Sequence, residues 1–144
     1  MDNMDIVIVE DNYHDVEMIL DALDESGIKS DFLVCRDGAE AVRQFFDPTG
    51  GFISEKRRLP KLILLDLKLP KINGMEVLKL LKSDHKTKYI PVVVFTSSNE
   101  ARDRKESYEL GVNSYLVKPL DADQFAVHIG QIIDYWIRLN VNAD

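Results

Sequence analysis

Four short apolar runs in this chain each stop at a polar residue. Ile6-Val7-Ile8-Val9 ends at Glu10 and Asp11, and Leu62-Ile63-Leu64-Leu65 ends at Asp66. Val92-Val93-Val94-Phe95 ends at Thr96, and Tyr115-Leu116-Val117 ends at Lys118. Continuous runs of Val, Ile and Leu predict strands buried on both faces, as in a parallel sheet covered by helices. Strands are expected at about 5–9, 31–35, 61–66, 91–96 and 113–117. Between and after them the apolar positions take helical spacing, at about 13–26, 38–46, 74–83, 100–110 and 121–139. Val16, Ile19, Leu20 and Leu23 form one such stripe, ending at Gly27. Met75, Leu78 and Leu81 form another, after Asn73-Gly74. Phe125, Ile129, Ile132, Ile133 and Trp136 line the last helix, which opens at the N-cap residue Asp121.

Alternating strands and helices predict an α/β fold. Right-handed crossovers leave few topologies. The expected one is a doubly wound, flavodoxin-like five-stranded parallel sheet of order 2-1-3-4-5 with an extended last helix. Ligands of such folds sit outside the carboxyl ends of the strands, where the strand order reverses. Glu10, Asp11 and Asp66 therefore fall side by side at the switch between the first and third strands, flanked by Thr96 and Lys118.

Composition narrows the classes. At 144 residues, 45% of them hydrophobic, the chain is expected to form one domain over 1–144 with its core at about 4–139. A formal charge of −7 argues against nonspecific nucleic-acid binding, which needs a basic footprint. No apolar stretch approaches membrane-spanning length, and Asp2 stands where a signal peptide would be basic, so a cytoplasmic location is expected. Cys35 is the single cysteine, which excludes an intrachain disulfide and a cysteine-based zinc site. After the last helix only a handful of polar residues remain, and no output domain is expected.

Three neighbouring carboxylates repel one another, and a hard divalent cation resolves that repulsion. Mg²⁺ prefers oxygen ligands and keeps several waters, so a few carboxylates and a carbonyl suffice and positions stay open for phosphate oxygens. An Asp side chain can itself act as a nucleophile and form an acyl phosphate. The charge on a phosphoryl group's peripheral oxygens would then be met by a metal, an ammonium and a hydroxyl.

The residues that carry this chemistry stand in a recognisable order: Val9-Glu10-Asp11-Asn12, Leu65-Asp66-Leu67-Lys68-Leu69-Pro70 with Asn73-Gly74, Phe95-Thr96-Ser97-Ser98, and Lys118-Pro119. Together they resemble the receiver domain of two-component response regulators over essentially the whole chain. The resemblance implies that Asp66 accepts a phosphoryl group from a sensor histidine kinase. It implies that Asp11 holds Mg²⁺ (or Mn²⁺) directly and Glu10 through water, with Asp66 and the backbone carbonyl of Lys68 as further ligands. Thr96, Ser97 and Lys118 would contact the phosphoryl oxygens, and the Lys118-Pro119 bond would be cis. Thr96 and the aromatic Tyr115 would form the switch, read on the surface of the fourth helix, fifth strand and fifth helix. Tyr115 can equally be an aromatic packed on the last helix. Lys68 and Ser98 would line the path of water to the phosphoaspartate. Asp11 or Asn12 can also cap the first helix.

The Pro70-Lys71-Ile72-Asn73-Gly74 stretch, the loop at 47–60 and the aromatic-rich last helix resemble single-domain regulators of bacterial and cyanobacterial phytochrome histidine kinases. That likeness implies a bacteriophytochrome as kinase and a homodimer through the last helix, with Phe125, Ile133 and Trp136 as candidate contacts. A histidine phosphotransfer protein is a further possible partner. Rival readings are an aspartate-nucleophile phosphatase, a nucleotide or flavin module, and a receiver-like scaffold that works without phosphorylation. The phosphatase needs a second Asp where Lys68 stands, and the nucleotide module needs a glycine-rich loop where Glu10-Asp11-Asn12 stands. His14, His85 and His128 share no ligand spacing and read as surface residues. Lys56-Arg57-Arg58 reads as a solvated loop, or alternatively as a docking element for an acidic partner.

Overall fold

The computed structural model describes residues 4–51 and 58–143. Five strands, β1 (Ile6–Val9), β2 (Phe32–Cys35), β3 (Leu62–Leu65), β4 (Val92–Thr96) and β5 (Ser114–Val117), alternate with five helices. These are α1 (Tyr13–Glu25), α2 (Gly38–Arg43), α3 (Gly74–Ser83), α4 (Ala101–Leu110) and α5 (Ala122–Ile133). All strand pairs are parallel and the order is β2-β1-β3-β4-β5, as expected from the alternation. Every residue of β1, β3 and β4 is buried, whereas the edge strands β2 and β5 are partly covered.

Each strand therefore feeds two cores. On one face Val7, Val9, Ile63, Leu65, Val92 and Val94 pack against Ala41, Val77, Leu78 and Leu81 from α2 and α3. On the other, Ile6, Ile8, Leu62, Leu64, Val93 and Phe95 meet Ile19, Ala22 and Leu23 of α1 and Phe125, Ile129 and Ile132 of α5. Phe95 and Phe125 lock β4 to α5 edge to face, with ring centroids 5.0 Å apart. α4 is anchored differently, because Ser107 is its single fully buried residue. Its hydroxyl donates to Asp103 O at 2.7 Å and lies 3.7 Å from Met75 Sδ of α3.

Helix starts follow their caps. Asn12, Asp37, Asn73 and Asp121 each accept a backbone N–H of the first turn through a side-chain oxygen. Since Asn12 caps α1, the Asp11 carboxylate is left to the sheet crevice.

Two expected elements differ. α2 stops at Arg43 rather than at 46, and Phe45 and Phe46 turn into the core. The last helix does reach 139, but its final six residues, Asp134–Leu139, are π-helical, closed by Asn140 N–H donating to Tyr135 O at 2.7 Å. Of the basic loop run, Lys56 and Arg57 lie outside the described residues; Arg58 pairs with Asp5 at 2.7 Å. No helix among the described residues is long and apolar enough to cross a membrane.

Candidate functional site

The strand register brings the site together. Glu10 N–H donates to Cys35 O and Asp66 N–H to Val9 O, so both acids continue the ladder by one residue. Lys118 N–H likewise donates to Thr96 O at 2.7 Å, which aligns the ends of β4 and β5. Glu10, Asp11 and Asp66 each offer a carboxylate oxygen within 4.8 Å of the others. Glu10 and Asp66 are buried, and Asp11 opens to solvent.

Into this cluster reaches the Lys118 ammonium. Nζ donates to Glu10 Oε1 at 2.6 Å, to Asp66 Oδ2 at 3.0 Å, and to Asp15 Oδ2 at 2.7 Å. Asp15 went unrecognised in the sequence. The clue was available: it lies one helical turn after Asp11, and side chains of a first turn lean back toward the helix N-terminus.

The electrostatics reflect the crowding. Burial, then repulsion from Asp66, pushes the Glu10 carboxyl up from 4.5 to about 7, against the pull of Lys118. Burial acts to lower the Lys118 pKa, but its bonds to Asp15 and Glu10 and the charges of Glu10 and Asp66 win, and it is raised. Burial is the larger cause at Glu10 and the neighbouring carboxylates are the cause at Lys118, and both favour a proton or another cation at the site.

Thr96 is fully buried, and its Oγ1 lies 3.4 Å from the Ser98 N–H. Ser97 is exposed, whereas Ser98 is buried and its hydroxyl donates to Asp103 Oδ2 at 2.5 Å. Tyr115 Oη donates to the Ser98 carbonyl at 2.9 Å, and burial raises its pKa, so the hydroxyl stays a donor. The Lys68 side chain is exposed, and its N–H donates to Asp66 Oδ1 at 3.2 Å. Behind Asp66, Gly74 packs so closely that an added Cβ would strike the Asp66 carbonyl oxygen and Leu67 Cα. His14 and His85 are exposed and His128 is half-buried.

Two expectations are corrected here. The Lys118-Pro119 bond is not cis, because no cis peptide occurs among the described residues. The β4 pairing of Lys118 N–H and the three carboxylates around Nζ already aim the lysine. Phe125 and Ile133 are not surface contacts: they are 1% and 3% exposed, because the α5 stripe they belong to faces the sheet. Trp136 is half-buried against the same core and edge to face with Tyr135.

A family model, "Response regulator receiver domain", matches residues 6–130. The chain belongs to that family. This receiver is 37% identical over 135 residues to the probable methanogenesis regulatory protein FilR2 of Methanothrix harundinacea, covering 94% of this chain and 84% of that one. It is 38% identical over 133 residues to the response regulator Rcp1 of Synechocystis sp., covering 92% and 88%. A manganese-bound crystal structure of Rcp1 aligns with a TM-score of 0.82 at 35% identity, covering 96% of this chain and 98% of that one. The phosphorylated cyanobacterial phytochrome response regulator RcpA aligns with a TM-score of 0.85 at 36% identity, covering 99% and 100%.

The receiver's oxygen-rich cluster fits a hard divalent cation: three carboxylates converge, one is open to solvent, and the Glu10 carboxyl stays raised even with the Lys118 ammonium beside it.

Proposed function

We propose that this receiver is a phosphoryl-accepting switch, with Asp66 as the acceptor and a sensor histidine kinase as the donor. The observation that carries the reading is the Lys118 ammonium, 3.0 Å from an oxygen of the buried Asp66 within a carboxylate cluster. An Asp66 oxygen attacks the phosphorus of a phosphohistidine. The new P–O bond forms as the P–N bond breaks, and the departing imidazole nitrogen keeps the electron pair. The Lys118 ammonium and Thr96 hydroxyl offset charge on the peripheral oxygens. Ser97, exposed beside them, is a further contact.

Glu10, Asp11, Asp66 and the Lys68 carbonyl would hold Mg²⁺ (or Mn²⁺), which supplies charge neutralisation for the transferring phosphoryl group. Likeness to Rcp1, which has a manganese-bound form, supports a divalent ion in this receiver. Lys68, exposed where an aspartate-nucleophile phosphatase would need its second acid, disfavours turnover of a small substrate. Loss of the phosphoryl group from Asp66 to water resets the switch.

The output is a shift of Thr96 and Tyr115 that repacks the surface of α4, β5 and α5. Likeness to Rcp1 and RcpA favours a bacteriophytochrome as the kinase; a histidine phosphotransfer protein is a second possible exchange partner. Val127, Tyr135 and Leu139, each at least half exposed on the last helix, support a homodimer through that helix.

Incubation with Mg²⁺ and acetyl phosphate, followed by intact mass measurement, tests the reading. The parent should gain one phosphate and Asp66→Asn none. A folded parent that gains nothing would favour a phosphorylation-independent scaffold.

A further inference from the structure

We propose that Asp15 is a positioning residue for Lys118, the anchor that keeps the ammonium aimed at Asp66 through every state of the site. The inference rests on the phosphoacceptor reading and adds to it a residue outside the strand-end set.

The geometry gives the reason. An ammonium has three N–H bonds, and Lys118 directs them at Glu10, Asp15 and Asp66, all within 3.0 Å. Two of those acceptors have other work. Glu10 and Asp66 belong to the carboxylate cluster that a divalent cation would draw on. Phosphorylation also turns one Asp66 oxygen into the bridging oxygen of an acyl phosphate, a far weaker acceptor than a carboxylate. Asp15 lies outside that cluster, so neither event consumes its carboxylate. With Asp15 in place, Lys118 loses its bond to Asp66 and gains a phosphoryl oxygen while staying tethered. Without Asp15, a flexible four-carbon side chain must be ordered afresh at each transfer.

Asp15 is suited to this because its main chain is fixed independently of its side chain. The Asp15 N–H is bonded to Asn12 Oδ1 at 3.0 Å, so Asp15→Asn keeps the α1 cap. The Asp15 side chain is 17% exposed and the Lys118 side chain 9% exposed, so water competes little for their contact.

Two readouts test the proposal. Lysine-ammonium ¹H–¹⁵N spectra should show a slowly exchanging Lys118 signal in the parent, absent from Lys118→Met. With saturating Mg²⁺ that signal should persist in the parent and be lost from Asp15→Asn. Separately, Asp15→Asn should slow phosphorylation by acetyl phosphate about tenfold. Its effect in a Lys118→Met background should shrink to less than about twofold, because it acts through the lysine. An unchanged ammonium signal, an unslowed rate, or equal slowing in both backgrounds would overturn the proposal. If the parent accepts no phosphate, the phosphoacceptor reading fails by itself and the ammonium signal alone decides for or against Asp15. Should Asp15→Asn fail to fold, Asp15→Ser serves for both readouts.

Discussion

Tyr115 Oη donates a hydrogen bond to the carbonyl oxygen of Ser98 at 2.9 Å, tying β5 to the segment that follows β4. Ser98 in turn donates to Asp103 in the first turn of α4, and its N–H lies 3.4 Å from Thr96 Oγ1. One phenol thus connects the end of β4, β5 and the start of α4. Tyr115→Phe keeps the ring and removes the tie. It should cost about 1 kcal/mol in urea unfolding and speed amide exchange at residues 97–100 relative to the β3 core. Unchanged exchange there would show that the phenol is packed without holding the segment.

The carboxylate crowding makes the site a local liability. Asp66→Asn removes one of the repelling charges while Lys118 keeps Glu10 and Asp15 as partners. In metal-free buffer at neutral pH the variant should be about 1 kcal/mol more stable than the parent by urea unfolding. Saturating Mg²⁺ should erase that advantage by stabilising the parent preferentially. A less stable variant in chelator would mean that the Asp66–Lys118 pair outweighs the repulsion.

Glu10 should set the pH dependence of the proposed cation binding. Burial and repulsion from Asp66 raise its pKa to about 7, so a cation arriving below that pH must expel a proton. Affinity for Mn²⁺ should rise with pH up to about 7 and then level off. Calorimetry at pH 6 in two buffers of different ionisation heat should detect proton release, and the difference should vanish near pH 8.5. Stability of the metal-free chain runs the other way. The folded state binds the Glu10 proton more tightly than the unfolded chain, so this residue's contribution grows as pH falls from about 7 toward 4.5.

Gly74 guards the position of Asp66. A Cβ there would collide with the backbone oxygen of Asp66 and with Leu67 Cα, neither of which can rotate away. Gly74→Ala should destabilise the fold by about 2 kcal/mol in urea unfolding, and it should slow phosphorylation in the fraction that remains folded. An alanine variant with parental stability would mean that the β3–α3 turn yields more readily than its packing suggests.

The sheet order, the strand ends and the approach of Glu10, Asp11, Asp66 and Lys118 were legible because buried parallel strands write themselves as unbroken apolar runs. The polar residue that ends each run is then conspicuous. Asp15 was hidden for the converse reason. It sits on a helix among other acids, where a carboxylate in the first turn has an ordinary explanation in the helix dipole. Phe125 and Ile133, expected at the surface of the last helix, share an apolar spacing that marks the face turned to the sheet. The exposed Val127, Tyr135 and Leu139 lie off that stripe.

α4 carries a single fully buried residue, Ser107, and that residue is small and polar. A helix held this lightly would surrender little apolar surface in a shift, which suits it to be the moving part of the proposed switch. Small changes around Asp66 would then need no strong mechanical linkage to reach it. The corresponding limit is sensitivity to company: under the proposed switch, any partner that rests on α4 would bias the same balance from outside, and its binding and phosphorylation of Asp66 would then influence each other by equal factors.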